Sequence, residues 1–173
     1  MIPRTPPKRL AVIAALQALL EQISVADGDA FDMTGKVYRN RLLFGQDVTG
    51  DPPALSIIEA PRSDTAFYAG SDGEARLDAW TLMIQGIVAD TKLDDSGDDA
   101  YFLVQDVERR LSRIMSEDPV SGRPEFPNDY RLNGMISSVE IAPPIVRPPE
   151  AGVSANVFFY LPIRVGIGVK IGE

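Results

Sequence analysis

The densest set of side chains that could bind a metal ion or transfer a proton is a run of aspartates before the second predicted helix. It consists of Asp90, Asp94, Asp95, Asp98 and Asp99. A calcium loop needs ligands at alternating positions, a central glycine and an acidic residue at its end. That spacing is absent, because the residue twelve positions after Asp94 is Asp106, well inside the helix. We interpret the run as a solvated turn and a charged helix start, with a carboxylate- or metal-dependent hydrolase as the alternative.

Few residue types are available for catalysis, since the chain contains no histidine and no cysteine. Their absence removes Ser-His and Cys-His nucleophiles, zinc sites with His or Cys ligands, iron-sulfur clusters and disulfides. Carboxylates such as Glu59, Asp78 and Glu140 remain, but no spacing singles out a pair with a raised pKa. No glycine-rich phosphate loop follows a predicted strand. The sequence therefore predicts no catalytic, cofactor-binding or metal-binding residue and no enzyme activity.

The charge balance argues against nucleic acid as a specific partner. Acidic residues number 25 and Lys plus Arg 17, so the formal charge of -8 gives no attractive field for phosphates. Arg39 and Arg41 alternate on a predicted strand and could contact phosphate, although exposed strand arginines are commonly solvated or paired with acids. The apolar run at 10–16 is far shorter than the ~20 residues of a membrane helix. We therefore predict no sequence-specific nucleic-acid binding, no membrane insertion and no export.

Two amphipathic helices and five strands are predicted to position these side chains. The helices span 8–24 and 98–115, each with one apolar stripe at helical spacing, and Ser96 with Asp99 fits an S-x-x-D capping pattern. The strands are predicted at 36–44, 54–58, 77–89, 134–142 and 157–170, with the third at the centre of the sheet. Pro162 predicts a free edge or a bulge in the last strand, because proline has no N–H to donate.

The order of these elements predicts an α+β fold with a mostly antiparallel β-sheet, two α-helices packed on one face, and long loops. Residues 1–173 are expected to form a single domain, because the chain is long enough for one well-buried core and its elements interleave closely. No internal repeat interrupts this pattern. The sequence therefore predicts one globular unit with extended segments on its surface.

Apolar residues occur in three segments without helix or strand periodicity: loops at about 60–76 and 116–133, and a Pro-rich arm at 143–152. Connections in a compact domain are mostly short, so long segments with apolar residues indicate partner contacts. The interface residues predicted there are Phe67, Tyr68, Phe126, Tyr130, Ile145 and Val146. Phe158, Tyr160 and Arg164, on the second face of the last strand, could extend this surface. The alternative is that these side chains only cover the sheet.

Taken in order, the elements resemble those of bacteriophage tail terminator proteins. The resemblance covers most of the chain as a pattern, and its sharpest parts are LDAWTLMIQGIVAD at 77–90 and DDAYFLVQDVERRLSRIM at 98–115. Tail terminators are small α+β subunits that form a ring, typically a hexamer, at the head-proximal end of the tail tube. Head-completion and other neck proteins, such as a head-tail connector or stopper, share similar patterns and remain the alternative.

The resemblance implies a structural protein of the virion tail and neck, assembled in the host cytoplasm. It would stop polymerisation of the tail tube and offer a docking surface to the head connector, without a cofactor. Its partners would be further copies in a hexamer ring, the tail tube protein, the head-tail connector protein and, where there is one, the tail sheath. DNA would pass through the lumen, where a negative surface lets it slide without sticking.

Overall fold

The computed structural model describes residues 5–42, 52–59, 75–89, 97–149 and 155–170, and the structural statements below refer to these. The helical elements are α1 (Lys8–Leu20), a 3-10 turn (Val25–Asp27), α2 (Asp98–Ser112) and the four-residue α3 (Arg131–Gly134). The strands are β1 (Val37–Arg39), β2 (Ala54–Glu59), β3 (Ala75–Ala89), β4 (Ser138–Ile141), β5 (Ile145–Arg147) and β6 (Asn156–Lys170).

The six strands form one sheet in the order β1-β2-β3-β6-β4, and β5 also pairs with β6. Of these pairs, β1 with β2 is parallel and the others are antiparallel. β3 and β6 have 15 residues each and pair along their whole length. β3 therefore lies in the middle of the sheet, as the sequence predicts. The predicted α+β class with a mostly antiparallel sheet is confirmed.

Both long helices pack on one face of the sheet and form the main core with it. The predicted apolar stripes are buried throughout: Val12, Ile13, Leu16, Leu19, Leu20 and Ile23 for the first, and Ala100, Leu103, Val104, Val107, Leu111 and Ile114 for the second. Each such leucine, isoleucine or valine contributes about 1.5–3 kcal/mol relative to an exposed side chain. Within the described part of the chain, no helix is long and apolar enough to cross a membrane.

Gly86 of β3 has no side chain, and a large buried side chain of the core occupies the space beside it. It lies opposite Phe159 of β6, whose side chain is fully buried. A Cβ atom at position 86 would lie 1.9 Å from Cε1 of Phe159, closer than two carbon atoms can approach without a shift. The phenyl ring therefore lies directly over the glycine, and any side chain at position 86 would have to displace it.

β1 is shorter than the strand predicted at 36–44, because it ends at Arg39. Asn40 has φ 52°, in the left-handed region that breaks an extended run and that asparagine adopts more readily than most residues. This break also overturns the predicted alternation of Arg39 and Arg41. The guanidinium of Arg41 lies over the ring of Tyr38, 4.7 Å from its centroid, and is therefore engaged within the chain. Positions 43 and 44 lie outside the described residues.

The outer edge of β1 is covered at one point by α1. The carbonyl of Lys36 and the N–H of Asn40 bond to β2, so the carbonyl of Val37 between them points away from the sheet. Gln17 of α1 donates from Nε2 to this carbonyl oxygen at 2.8 Å. A helix side chain thereby satisfies a backbone acceptor that an edge strand would otherwise leave without a protein partner.

The Pro-rich arm predicted at 143–152 is not irregular throughout, because Ile145–Arg147 form β5 on the edge of β6, and its residues 150–152 lie outside the described residues. β4 pairs with the same edge and is shorter than the strand predicted at 134–142. Pro162 lies at the gap between the two, where its missing N–H breaks no ladder, and its carbonyl accepts the Ala142 N–H at 3.0 Å. The gap between β4 and β5 is therefore the free edge that Pro162 predicts.

The described part of α2 begins at a glycine, and the serine of the predicted capping pattern precedes it. Gly97 occupies the N-cap position with φ 103°, a left-handed conformation that favours glycine. Gly97 has no side chain with which to cap the helix, and the pairing of Ser96 with Asp99 stays a prediction, because Ser96 lies outside the described residues. Asp98 and Asp99 do lie in the first turn, as predicted, where carboxylates stabilise the positive end of the helix dipole.

Candidate assembly surface

The described residues contain no group of three or more His, Cys, Asp or Glu side chains that could hold a metal ion. Of the aspartate run, Asp98 and Asp99 belong to α2, while Asp90, Asp94 and Asp95 lie outside the described residues. Two other arrangements stand out. One is a network of buried charges between α1 and α2, and the other is a surface of exposed apolar side chains at the two ends of α2.

The buried charge network joins α2 to the connection that follows α1. Asp29, Asp106 and Arg110 are 7%, 3% and 3% exposed. Arg110 donates from Nη2 to Oδ2 of Asp29 at 3.2 Å and to the Gln22 carbonyl at 2.8 Å. The arginine therefore neutralises a buried carboxylate and satisfies a backbone carbonyl at the end of α1 at the same time.

Asp106 forms the second half of the charge network. Its Oδ2 accepts the Ala30 N–H at 2.8 Å, and its Oδ1 accepts Arg109 Nη2 at 2.8 Å. Arg109 also pairs with Asp29. Sequence analysis did not find this network. A signal for part of the network was present, because Asp106 and Arg109 are three residues apart, a spacing at which side chains on one helix can pair.

The two buried carboxyl groups have pKa values shifted in opposite directions. Burial raises the pKa of Asp29, but the Ser24 N–H, a hydrogen bond from Arg110 and the charges of Arg109 and Arg110 outweigh it, so the pKa lies below 3.8. Burial also raises the pKa of Asp106; a backbone N–H and Arg109 oppose it, and the charge of Asp29 adds to it, so the pKa lies above 3.8. Asp29 is therefore the carboxylate that the arginines hold ionised.

Acid is expected to change the stability through these two groups with opposite signs. Ionised Asp106 destabilises the fold above its raised folded pKa, and this cost disappears as the pH falls through that pKa. Ionised Asp29 contributes stability above pH 3.8, which is lost as the pH falls through its lower folded pKa. Urea unfolding of the wild type, Asp29→Asn and Asp106→Asn between about pH 7 and pH 3 measures both effects.

In that series, Asp106→Asn should lack the gain in unfolding free energy that the wild type shows on mild acidification. Asp29→Asn should be less stable at neutral pH, because its arginines lose a charged partner, but should lose less stability below pH 3.8. Three parallel curves of unfolding free energy against pH would contradict the assignment of the shifts to these two carboxyl groups.

Residues 116–125 contain no helix or strand, in agreement with the loop predicted from the sequence, and hydrogen bonds fix their backbone as a turn. Oδ1 of Asp118 accepts the N–H groups of Val120 and Ser121 at 2.9 and 2.6 Å, and the Asp118 N–H donates to the Arg123 carbonyl at 2.8 Å. Val120 is 94% exposed at the tip. This segment, named here the Val120 turn, holds an apolar side chain in solvent at a fixed position.

Phe126 and Tyr130, both predicted interface residues, follow the Val120 turn and are half-buried. The guanidinium of Arg113 lies over the Phe126 ring at 4.6 Å from its centroid, and the Tyr130 hydroxyl donates to Glu117. Both aromatic rings therefore make contacts within the chain. Their contacts tie the Val120 turn to the C-terminal end of α2, so they support this surface rather than protrude from it.

The end of the 116–133 segment is fixed by α3, in which the backbone is left-handed. The φ angles are 49°, 48° and 57° for Arg131, Leu132 and Asn133, and 78° for Gly134. Each non-glycine residue in this conformation costs about 1–2 kcal/mol. Burial of Leu132, 4% exposed in the main core, and a 2.8 Å hydrogen bond from the Arg131 N–H to the Ile114 carbonyl offset this cost.

The two interface residues predicted in the arm, Ile145 and Val146, lie on opposite faces of the sheet. Val146 pairs with Phe159 and is partly buried against the main core, which corresponds to the alternative that these side chains cover the sheet. Alternate residues of a strand face opposite sides of the sheet, and the pairing of β5 with β6 places Val146 on the side of the main core. Ile145 pairs with Tyr160 and is 59% exposed, as an interface residue would be.

The remaining predicted interface residues of β6 lie on the sheet face opposite the helices. Phe158 is 8% exposed in a second apolar cluster with side chains of β2 and β3, so it covers the sheet instead of presenting a contact. Tyr160 is half-buried against that cluster, and burial raises the pKa of its hydroxyl. Arg164 is exposed and pairs with Glu140 at 3.3 Å. Phe67 and Tyr68 lie outside the described residues.

Two exposed aromatic residues on α2 were not predicted. Tyr101 and Phe102 lie in its first turns and are 60% and 50% exposed. The signal for this aromatic pair was available in the sequence, because a helical projection places both residues away from the stripe that contains Leu103 and Val104.

The function has to be inferred from these surfaces, since no model of a protein family matches the sequence and no curated protein is significantly similar to it.

Proposed function

We propose that the chain is a structural subunit of a bacteriophage virion that assembles into a ring at the head-proximal end of the tail tube. The ring ends polymerisation of the tube and joins the tail to the head connector. The Val120 turn is the observation that carries this proposal. It holds a nearly fully exposed valine on a backbone fixed by side-chain and main-chain hydrogen bonds, an arrangement that favours contact with another protein.

Further support comes from the fold and the charge. The α+β architecture with two helices on one face of a mostly antiparallel sheet is the one that the resemblance to tail terminators implies. The formal charge of -8 suits a channel through which DNA slides without binding. The partners in this proposal are further copies of the chain, the tail tube protein and the head connector protein, with a sheath in contractile tails.

A head-tail connector or stopper subunit is the nearest alternative, because it too would present protein-binding surfaces without a catalytic site. The two functions differ in the partner that is bound. A terminator has to bind the end of the tail tube in order to stop its polymerisation, whereas a connector or stopper subunit need not change the length of the tube. A metal-dependent hydrolase would need the aspartates at 90–99, and the two of them that the structure describes serve as the charged start of α2.

Light scattering of the purified protein over a range of concentrations, followed by negative-stain imaging, is expected to find rings of about six subunits. Added to polymerising tail tube protein, the same material should cap the tubes and shorten their length distribution. The control is an equal amount of the same protein after it has been unfolded by heat. Rings that leave tube length unchanged but bind the connector would favour the alternative, and a protein that does neither would overturn the proposal.

A further inference from the structure

We propose that Asn133–Gly134 is a site of self-modification, at which the asparagine is converted to aspartate and isoaspartate without an enzyme or a cofactor. The chain contains four asparagines, and this is the one that glycine follows. Three features of the site support the reaction and give it a consequence: the type of turn, the access of solvent to both residues, and the buried anchors on either side.

The two residues occupy the centre of a tight turn. Asn133 has φ 57° and ψ 38°, and Gly134 has φ 78°. The Met135 N–H donates to the Leu132 carbonyl at 3.3 Å and closes the turn. The positive φ angles and this hydrogen bond are those of a type I′ turn, for which Asn-Gly is a strongly preferred pair.

One rotation of a peptide plane brings the reacting atoms together. Rotation of the plane between Asn133 and Gly134 gives a type II′ turn, with ψ of about -120° at the asparagine and a negative φ at the glycine. Glycine adopts both signs of φ with similar ease, so the rotation forces no side chain into a disfavoured region. At this ψ the Gly134 nitrogen lies on the same side as Cβ of Asn133, within reach of Cγ.

Both residues are exposed, so water and hydroxide reach the groups that react. Asn40 provides a comparison within the same chain, because its φ of 52° is also left-handed. Its side-chain oxygen accepts the Glu59 N–H at 3.4 Å, and the residue after it is Arg41, whose Cβ stands beside the attacking nitrogen. Asn133 therefore combines the backbone conformation with an unshielded neighbour, and Asn40 does not.

The reaction balances with water as its co-reactant. The backbone nitrogen of Gly134 loses its proton to solvent base and attacks Cγ of Asn133. The N–Cγ bond forms, the bond from Cγ to the amide nitrogen breaks, and that nitrogen takes a proton from water and leaves as ammonia. Water then adds to one carbonyl carbon of the five-membered imide and breaks its bond to nitrogen. Cleavage at Cγ gives aspartate, and cleavage at the main-chain carbonyl gives isoaspartate, whose backbone runs through Cβ and Cγ.

Isoaspartate should disturb the fold because the turn is anchored on both sides. Leu132 and Ile136 are each 4% exposed in the main core, and the Ile136 N–H donates to the Arg131 carbonyl at 3.2 Å. Isoaspartate adds one carbon atom to the main chain between these anchors, whereas aspartate leaves its length unchanged. The isoaspartate form is therefore expected to unfold at a lower urea concentration than the native protein, and the aspartate form close to the native midpoint.

Incubation of the folded protein in warm, mildly alkaline buffer, followed by proteolysis and mass spectrometry, tests the reaction. Deamidation at Asn133 is expected to be at least about tenfold faster than at Asn40, Asn128 or Asn156, because glycine leaves the attacking nitrogen unshielded. Its rate should rise with pH, since that nitrogen has to lose its proton. Ion exchange separates the products, and electron-transfer fragmentation distinguishes isoaspartate from aspartate.

Two variants test the consequence for the fold. Asn133→Gly is the matched control, since glycine accepts the positive φ of the turn but has no amide. Its urea midpoint should stay constant during an incubation that lowers the midpoint of the wild type. Asn133→Asp reproduces the new charge without the longer main chain, so its midpoint should remain near that of the fresh wild type.

Equal rates of deamidation at Asn133 and Asn40 in the folded protein would overturn the proposed site. An equal fall of the midpoint in the wild type and Asn133→Gly would overturn the role of the anchored turn. A midpoint of Asn133→Asp as low as that of the isoaspartate fraction would assign the effect to charge, and would overturn it too. None of these measurements depends on assembly, so their outcome is independent of the proposed function.

Discussion

Replacement of Arg110 by methionine is expected to lower the free energy of unfolding by about 3–5 kcal/mol, because it leaves a buried carboxylate without its main cation. The side chains of Arg110 and Asp29 are each 3% exposed. Methionine fills a similar volume but cannot donate to Oδ2 of Asp29 or to the Gln22 carbonyl. Arg109 keeps its pairing with Asp29, but it is 49% exposed and cannot shield the buried side of that carboxylate.

Urea unfolding followed by fluorescence of Trp80, the only tryptophan, measures this loss. The matched control is Arg164→Met, which removes an arginine from a pair whose side chains are 60% and 68% exposed. An exposed pair of this kind contributes little, so the control should remain within about 1 kcal/mol of the wild type. If the free energy of unfolding falls equally in the two variants, burial does not explain the contribution of the Arg110 pair to stability.

Gly86→Ala is expected to destabilise the protein by about 3 kcal/mol, at the upper end of the usual cost of overpacking. The added Cβ would lie 1.9, 2.3 and 2.6 Å from three ring atoms of Phe159. The ring cannot move aside easily, because its side chain is fully buried and both strands pair along their whole length. The clash must therefore be relieved by a shift of the strands at the centre of the sheet.

Gly168→Ala in β6 is the control for this substitution, since an added Cβ there has no heavy atom within 4 Å. Its unfolding free energy should change by less than about 1 kcal/mol. Phe159→Leu should partly rescue Gly86→Ala, because a smaller side chain makes room for the new methyl group. Additive losses in the double variant would mean that the ring and the methyl group do not compete for the same space.

The apolar pattern of the sequence predicted the helices and the two long strands well. Helical spacing of Val12, Leu16 and Leu20 leaves one buried stripe, and alternation in β6 leaves one buried face, because both follow from the geometry of the local backbone. The ends of elements were predicted less well. β1 ends where Asn40 takes a left-handed φ, and β5 forms only because β6 offers it an edge, neither of which periodicity can reveal.

The candidate surface was predicted only in part, for a related reason. Val146 lies in a segment of weak pattern and Phe158 on the second face of β6. Pairing between distant strands decides that Val146 is partly buried and that Phe158 is buried. Val120 sits in a short polar segment whose order comes from the hydrogen bonds of Asp118, so its exposure follows from a turn that the pattern did not predict. Tyr101 and Phe102 could have been found, because their positions on the polar side of α2 follow from helical geometry alone.

The hydrogen bond from Gln17 to the Val37 carbonyl bears on how the chain behaves when it is concentrated. Open edge strands are where identical proteins add to one another and aggregate into fibres. A strand approaching the outside of β1 would have to displace the Gln17 amide, whose Nε2 lies 2.8 Å from the Val37 carbonyl oxygen. That amide belongs to α1, which packs in the main core. The Gln17 side chain therefore opposes the addition of further strands at that edge. Contact between copies of the chain then depends on other surfaces, whose side chains can discriminate between partners.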